Sequence, residues 1–399
     1  MAKRLAIPSK ALQLQIVGPR DFFKAPRVQR LSLAANIPPT TIDEIGSASH
    51  VGTTKDVPDV TLQFQAFDVS HRIFSALTGY DPAAYPASGV DISLLGQLDA
   101  MIAVKDDTLT DYSRYIHARR MQISTFTYTY NVTGESTEEY TAVGSERRWL
   151  MYDVQVDKFI AGTTSFTLTK SPIQLKNGRW ALSVILDGNY LDEVSTAPAT
   201  GQYRVVGTTL TTGDTRVSQL LAVYHTVTAS PTWADVSDTL STVAIRGKDV
   251  QMRIAANNIP RVQSVTLNGN LQVASVKEMA NRAIVGYQRQ IPTIEGNITV
   301  LDTDTDLVSL LTNGVIGSGI EWQPGEGCTT SGVNLEIRLY DPCDVTNNPP
   351  TTLKTVYLPS ISIVGETETS NVNNNAQLVF NFRSNDAHCY IFSGLKTWT

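Results

Sequence analysis

The sequence has few of the residues on which metal sites, disulfide frameworks and acid–base catalysis depend. Among its 399 residues there are 3 cysteines and 5 histidines, and neither type forms a Cys-x-x-Cys or His-Glu-x-x-His pattern. Only 18% of the residues are charged, and the net charge is −6. An acidic chain of this kind is not expected to hold DNA through its phosphates. We therefore predict no enzyme activity, no metal site and no cofactor.

Long apolar runs are also missing. No stretch reaches the roughly 18 consecutive apolar residues that indicate a spanning helix, so we expect no membrane insertion. Hydrophobic residues nevertheless make up 42% of the chain, so its polar surface must come from Ser, Thr, Asn and Gln. This balance favours strands, and we predict an all-β protein.

The most informative pattern is an internal repeat. Residues 26–79 align without a gap on residues 260–313, and the alignment contains many identical or similar residues. Chance seldom preserves one register over so many positions, so we predict two units of the same fold. Identical pairs include Pro26 and Pro260, Val28 and Val262, Leu33 and Leu267, Pro58 and Pro292, and Asp68 and Asp302.

Each repeat begins with an alternating strand, after which both copies carry the pattern of a capping box. In that motif a hydroxyl and a Glu side chain bond the free amides at a helix N-terminus. We therefore predict that a short helix begins at the same place in each unit. The cap residues would be Thr41 and Glu44 in the first copy, and Ser275 and Glu278 in the second.

A second alternating strand follows Pro58 and Pro292 in the two copies, and a short amphipathic helix follows that strand. Both units end with a pair of strands joined by a turn. The polar residues of the second strand are Thr61, Gln63 and Gln65 in the first copy, and Glu295, Asn297 and Thr299 in the second.

These patterns divide the chain into three parts. We assign residues 1–150 to the first unit and residues 234–399 to the second. Residues 151–233 have no counterpart in the repeat, but they are rich in strand and turn signals. We predict that they form a β-rich insertion or connector.

In the order and spacing of these elements the repeated unit resembles the bacteriophage tail tube proteins, here in a duplicated form. The resemblance rests on residues 261–267, the capped segment before Gly286, Pro292 with the strand 294–300, and their first-copy partners. It implies two tandem β-sandwich or half-barrel units with short flanking helices. It also implies a structural virion protein that forms stacked rings, which build a tail tube for genome delivery.

The resemblance further implies partners and a location. The chain would be assembled in the host cytoplasm and reside in the phage tail, in contact with sheath, terminator and baseplate proteins. DNA would pass through the lumen without specific binding, along the six polar residues 61, 63, 65, 295, 297 and 299. Two fused units favour a ring of three chains with six units, and six chains that each span two layers are the alternative.

A different class of protein also fits the repeat. A β-sandwich module that binds carbohydrate or a cell surface could contain two similar units and exposed aromatic residues. Trp149, Trp180 and Trp322 are the candidate aromatic residues for such a role.

Overall fold

The structure is a computed structural model, and it is dominated by β-strands. It describes residues 12–42, 45, 49, 52–67, 71–80, 85, 87–105, 112–151, 153–160, 162–175, 178–214, 219–227, 245–279, 284–301, 332–344, 346–369 and 377–395. Among these residues no helix is long and apolar enough to cross a membrane. The all-β prediction is confirmed.

The strands are labelled β1 to β29 along the chain. The first part contains β1 (Leu12–Val17), β2 (Phe22–Lys24), β3 (Val28–Asn36), β4 (Pro39–Ile42), β5 (Gly52–Lys55), β6 (Asp59–Ala66), the helix α1 (His71–Thr78), β7 (Val90–Asp91), β8 (Gln97–Lys105), β9 (Tyr112–Asn131), β10 (Thr137–Gly144) and β11 (Glu146–Leu150). A 3₁₀ turn, Ile92–Leu94, precedes β8.

The middle part contains β12 (Asp153–Phe159), β13 (Ser165–Thr167), β14 (Leu182–Leu186), β15 (Asn189–Tyr190), β16 (Asp192–Glu193), β17 (Gln202–Val206), β18 (Thr209–Thr212) and β19 (Leu220–Thr226). The last part begins with a 3₁₀ turn, Gly247–Asp249. It then contains β20 (Val250–Ile254), β21 (Asn257–Asn258), β22 (Val262–Asn270), β23 (Val273–Val276), β24 (Gly286–Arg289), β25 (Thr293–Val300), β26 (Val333–Tyr340), β27 (Thr352–Thr369), β28 (Gln377–Ser384) and β29 (Tyr390–Ser393).

The repeat reappears in the strand boundaries. Strands β3, β4, β5 and β6 have counterparts in β22, β23, β24 and β25, and every boundary falls at the position that the gapless sequence alignment assigns to it. The strand order agrees too. In the first copy β1, β8, β9, β10, β6 and β3 lie side by side, and in the second β20, β26, β27, β28, β25 and β22 do so.

The long central strands match in their irregularities as well. In β9 the ladder with β10 skips Ser124, and in β27 the ladder with β28 skips Val364. A β-bulge bends and twists its strand, so a shared bulge gives the two sheets the same local curvature. Placing Ser124 on Val364 therefore defines a residue-by-residue correspondence between β9 and β27, which we call the bulge alignment.

The predicted capped helices are wrong. Thr41 lies in β4 and Ser275 lies in β23, and each strand pairs with the next one in a two-stranded hairpin. Glu278 follows β23 outside any helix, and Glu44 lies outside the described residues. Neighbouring β-branched residues such as Ile42 and Val276 favour extended backbone. In a hairpin the backbone N–H and C=O groups of both strands form hydrogen bonds with each other. A capping box would satisfy only two backbone amides of the same segment.

The helix predicted after the second strand is present in the first copy. It is α1, and its buried side includes Phe74 and Leu77. Gly79 follows it with φ +82°, the left-handed conformation that suits the end of a helix. The corresponding helix predicted in the second copy falls in residues 302–331, outside the described residues.

The two repeats share one core, whereas the middle part has its own. A single cluster of buried apolar side chains includes Phe126 of the first repeat and Leu267 of the second. The middle part folds as two four-stranded sheets that enclose a separate cluster around Leu182 and Tyr224. A third cluster joins this sandwich, through Ile185 and Val223, to β1, β8 and β9.

Candidate assembly surface

Four strands of each repeat combine into one continuous antiparallel sheet. Its order is β3, β6, β10, β9, β22, β25, β28, β27, so the two repeats meet where β9 pairs with β22. The residues of each strand alternate between the shared core and the opposite face. We call that opposite face the polar face.

The six residues predicted to line a lumen all lie on the polar face. In β6 the side chains of Leu62 and Phe64 are buried, and the residues between and beside them point away from the core. In β25 the same alternation separates Ile294 and Ile298 from the polar residues. That this face borders a lumen stays a prediction. The six residues are Thr61, Gln63, Gln65, Glu295, Asn297 and Thr299.

Uncharged side chains continue across the intervening strands of the polar face. Thr127 of β9 lies opposite Asn268 of β22, and the Thr127 hydroxyl donates a hydrogen bond to Asn268 Oδ1 over 3.0 Å. Gln63 donates to the carboxylate of Glu139 on β10. Glu295 lies opposite Arg383 in the ladder, so the acids on this face are accompanied by a base.

The joint between β9 and β22 is tightly packed on its core side. Leu267 is fully buried opposite Tyr128, and Val265 is buried opposite Tyr130. Gly269 lies opposite Phe126, whose ring would be only 1.9 Å from a Cβ at position 269. The Phe126 ring therefore occupies the space that a side chain at position 269 would need.

A second strand pairing also links the two repeats. In it β7 of the first repeat pairs with β29 of the second, with Asp91 opposite Tyr390 and Val90 opposite Ile391. The hydroxyl of Tyr85 donates to the Ile391 carbonyl over 2.6 Å. Burial raises the pKa of Tyr85, so this hydroxyl keeps its proton and remains a donor.

A buried ion pair crosses from one repeat to the other. Lys354 of β27 binds Glu138 of β10, and neither side chain is exposed to solvent. The Lys354 ammonium also lies 4.5 Å from the centre of the Tyr128 ring. Tyr140 donates to Glu138 Oε2 over 3.0 Å, and the Tyr128 and Tyr140 hydroxyls are 3.0 Å apart. Removing one member of such a network leaves a buried charge uncompensated, which costs several kcal/mol.

Among the described residues, both ends of the eight-stranded sheet are open. Within the part of the chain that the structure describes, no strand pairs with the outer edge of β3, or with β27 beyond Ile363 on the edge that carries β26. Leu33 of β3 is half-buried. Its counterpart Leu267, on β22 next to β9 in the sheet, is fully buried. An unpaired edge of this kind is a template for another strand.

The middle sandwich is attached to the first repeat by a buried polar cluster. His117 of β9 lies between two groups, with Nε2 3.0 Å from Asp99 Oδ2 and Nδ1 2.9 Å from His225 Nε2 of β19. Arg119 donates to Ser183 Oγ over 2.8 Å and to the Leu182 carbonyl over 2.7 Å. The sandwich thus docks on the first half of β9, away from the residues of β9 that carry the polar face.

The charge states in this cluster follow from burial and from its neighbours. Burial lowers the pKa of His117, and the positive charges of Arg119 and Arg148 lower it further, against the opposing effect of Asp99. Burial would raise the pKa of Asp99, but hydrogen bonds with His117 and from the Arg120 amide, together with the charge of Arg119, bring it below its usual value. We therefore assign Asp99 as ionised and His117 as neutral.

The structure does not bring the rarer reactive residues together. In the described ranges no three His, Cys, Asp or Glu residues form a group that could hold a metal. Cys389 is buried and burial raises the pKa of its thiol, whereas the neighbouring His388 is half exposed and binds Asp91. Trp149 is exposed on β11, Trp180 packs against the core of the middle sandwich, and Trp322 lies outside the described residues.

Sequence reasoning missed Lys354, Glu138 and Arg114. Lys354 and Arg114 occupy equivalent positions in β27 and β9, and a sequence search at the spacing of the bulge alignment would have paired them. The burial of Glu138 carries no such signal, because its sequence neighbour Glu139 has the same charge and lies on the polar face.

Comparisons with known proteins give partial structural matches. No family model matches this chain, and no curated protein matches it. The chain is similar to the tube-terminating cap of the anti-feeding prophage, with 13% identity and a TM-score of 0.28 over 38% of this chain and 95% of that one. It is also similar to a chain of the sheath–tube complex of an extracellular contractile injection system, PVC, in its extended state. That match has 13% identity and a TM-score of 0.26 over 37% of this chain and 93% of the other.

Proposed function

We propose that this chain is a structural tail protein, without catalytic activity, that polymerises into rings which stack into a tail tube. The observation that carries the proposal is the eight-stranded sheet with two open edges and one internal joint. At the internal joint β22 of the second repeat pairs with β9 of the first, and this pairing is our template for the contact between copies. Each open edge belongs to the repeat that lacks that contact.

Edges of this kind favour a closed ring. The outgoing edge, β27, and the incoming edge, β3, are different surfaces, so contact between copies is head-to-tail and a suitable rotation closes it. Closure would remove both unpaired edges, which are otherwise an aggregation hazard. We propose a ring of three chains, because the two repeats already lie side by side in one sheet instead of in separate layers.

The polar face supplies the second part of the proposed function. Three sets of eight strands would form a barrel of about 24 strands, more than the 16 to 18 whose barrels hold an aqueous channel. Thr, Asn and Gln side chains, with acids and bases in small and similar number, offer DNA few contacts that release counterions. DNA would therefore pass through the channel without being held.

Electron microscopy of the purified protein tests the assembly. We expect rings or tubes with three-fold symmetry and a six-lobed lumen, seen in negative stain over a range of protein concentrations. Six equivalent chains in a two-layered ring would refute the three-chain arrangement. A protein that remains monomeric at every concentration, by light scattering as well as by microscopy, would refute the proposed function.

A pair of lysine substitutions tests the role of the polar face. Gln63→Lys with Asn297→Lys places two cations on it, and we expect assembled tubes of this variant to retain DNA that wild-type tubes do not. The matched control, Thr167→Lys with Val206→Lys, adds the same charge to exposed positions of the middle sandwich. Equal DNA retention by both variants would contradict a lumen at residues 63 and 297.

A further inference from the structure

We propose that β27 of one copy pairs with β3 of the next in one defined register, and that Arg114 of the second copy binds Glu368 of the first. This inference rests on the proposed function, since it names the partner of the two open edges as another copy of this chain. It goes further in specifying which residues meet.

The register follows from the joint inside the chain. There Asn268 pairs with Thr127, and Leu267 pairs with Tyr128. The gapless repeat alignment converts Asn268 and Leu267 into Ala34 and Leu33 of β3. The bulge alignment converts Thr127 and Tyr128 into Thr367 and Glu368 of β27. The joint between copies would therefore pair Ala34 with Thr367, Leu33 with Glu368, and Ala35 with Glu366.

The correspondence depends on ladders that agree through every irregularity. On one side of β9 the ladder with β8 breaks between Leu98 and Ala100, and that of β27 with β26 breaks between Val333 and Leu335. On the other side both strands carry the bulges at Ser124 and Val364. Since the side-chain period of a strand is two, a slip of one residue would turn Leu33 away from the core.

Charge supports the same pairing. At the internal joint the cation is Lys354 and the acid is Glu138, which lies opposite Tyr128 in the ladder. At the corresponding positions between copies the cation is Arg114, and the strand pair contains Leu378 opposite Glu368. In the proposed joint Arg114 takes the place of Lys354, and the acid lies on the opposite strand of the pair.

Arg114 lacks a described acidic partner within its own chain. Its Nε is buried and makes no hydrogen bond in the structure, and its guanidinium lies 5.8 Å from the centre of the Trp149 ring. Arg147, on the neighbouring strand β11, also has a buried Nε without a hydrogen bond, and it lies over the same ring. Glu366 and Glu368 are exposed on the open edge of β27. A guanidinium with unused donors suits a carboxylate supplied by a neighbour.

Engineered disulfides test the register. Ala34→Cys with Thr367→Cys should link copies covalently, and non-reducing electrophoresis of oxidised rings should show closed three-chain species. Asn268→Cys with Thr127→Cys is the matched intrachain control, because this pair occupies the equivalent ladder position. Ser32→Cys with Thr367→Cys lies two residues out of register, at a diagonal distance of roughly 7–8 Å, and should cross-link at least tenfold less.

Charge reversal tests the ion pair. Glu368→Arg and Arg114→Glu should each raise the protein concentration at which rings form by about tenfold or more. The variant that carries both changes should assemble near the wild-type concentration, because every joint again joins opposite charges. Arg204→Glu, at an exposed position of β17 in the middle sandwich, changes the charge by the same amount and should have no effect. Circular dichroism of the unassembled variants checks that each is folded.

The outcomes separate the two proposals. If the protein forms rings but the Ala34→Cys, Thr367→Cys variant does not cross-link, or the Ser32→Cys, Thr367→Cys variant cross-links equally well, the register is overturned and the ring is not. A charge-reversed double variant that assembles no better than its single variants would overturn the Arg114–Glu368 pair. A wild-type protein that forms no rings at all would overturn the proposed function itself.

Discussion

The two repeats have matching strands and bulges, but they differ at one edge. In the second repeat β22 pairs with β9, whereas no described strand covers the equivalent edge of β3 in the first repeat. Leu267 and Gly269 of the second repeat are buried against β9, and their counterparts Leu33 and Ala35 in the first repeat are partly or fully exposed. The leucine is the same in both repeats and differs only in burial, whereas the covered strand has glycine where the open strand has alanine. The contrast shows which residues serve the unit and which serve the joint.

The largest expected effect comes from the buried Lys354–Glu138 ion pair at the internal joint. Lys354→Met leaves Glu138 as a buried charge without its partner, and we expect it to lower the free energy of unfolding by about 3–5 kcal/mol. Adding Glu138→Leu, the residue type of its counterpart Leu378, should restore most of the loss. Urea denaturation of the unassembled protein measures both effects. Arg114→Met, the equivalent change in the first repeat, should cost about 1 kcal/mol or less, and an equal loss there would contradict the comparison.

Gly269 provides the next test. A Cβ at this position would meet the Phe126 ring at 1.9 Å, so Gly269→Ala should destabilise the protein by about 1–3 kcal/mol through overpacking. The first repeat already has alanine at the equivalent position, Ala35, where the residue expected opposite is Glu366. Combining Gly269→Ala with Phe126→Leu should recover part of the loss in thermal unfolding. A neutral Gly269→Ala would show that the Phe126 ring moves freely.

The stability of the first repeat should depend on pH, because it carries His117 where it contacts the middle sandwich. His117 is buried and its pKa is lowered in the folded protein, so below about 6.5, its usual value, the unfolded chain binds a proton that the folded one excludes. Stability from His117 is therefore present above that pH and lost as the pH falls. Asp99 acts in the same direction in more acid solution, because its folded pKa is lowered as well.

From pH 7.5 to 5.5 we expect the His117 contribution to fall by about 1 kcal/mol. His117→Gln should flatten that part of the profile, measured by denaturation at several pH values. Tyr357 is the counterpart of His117 in the second repeat and carries no imidazole, so Tyr357→Phe should leave the slope unchanged. An unchanged slope in the His117 variant would place the titrating group elsewhere.

The smallest effect concerns the polar face at the joint. Thr127→Val removes the hydrogen bond to Asn268, and we expect a loss of about 0.5–1.5 kcal/mol. The equivalent change on the open edge, Thr367→Val, removes no side-chain hydrogen bond among the described residues and should leave the stability of the unassembled protein unchanged. A similar loss of stability in both variants would mean that valine disturbs the strand itself. The Thr127–Asn268 hydrogen bond would then not account for the effect.

The sequence contained enough to predict the class, the duplication and the alternation of β6 and β25. Identical residues at one offset showed the repeat, and period two showed which side of each strand is polar. The capped helix failed because Thr41 and Ser275 satisfy a four-residue pattern whose backbone is in fact held by cross-strand pairing. The joint could not be predicted, because the pairing of β9 with β22 joins strands that are far apart along the chain.

The chain's internal joint also has a consequence for assembly kinetics. A ring made from six separate single units needs five association events, whereas the proposed ring of three duplicated chains needs two. Each event costs about 4–15 kcal/mol of translational and rotational freedom, and here half of the contacts form when the chain folds. The critical concentration for ring formation should accordingly be lower, and its dependence on protein concentration less steep. In the proposed ring, duplication would therefore tether units in pairs and lower the cost of nucleation.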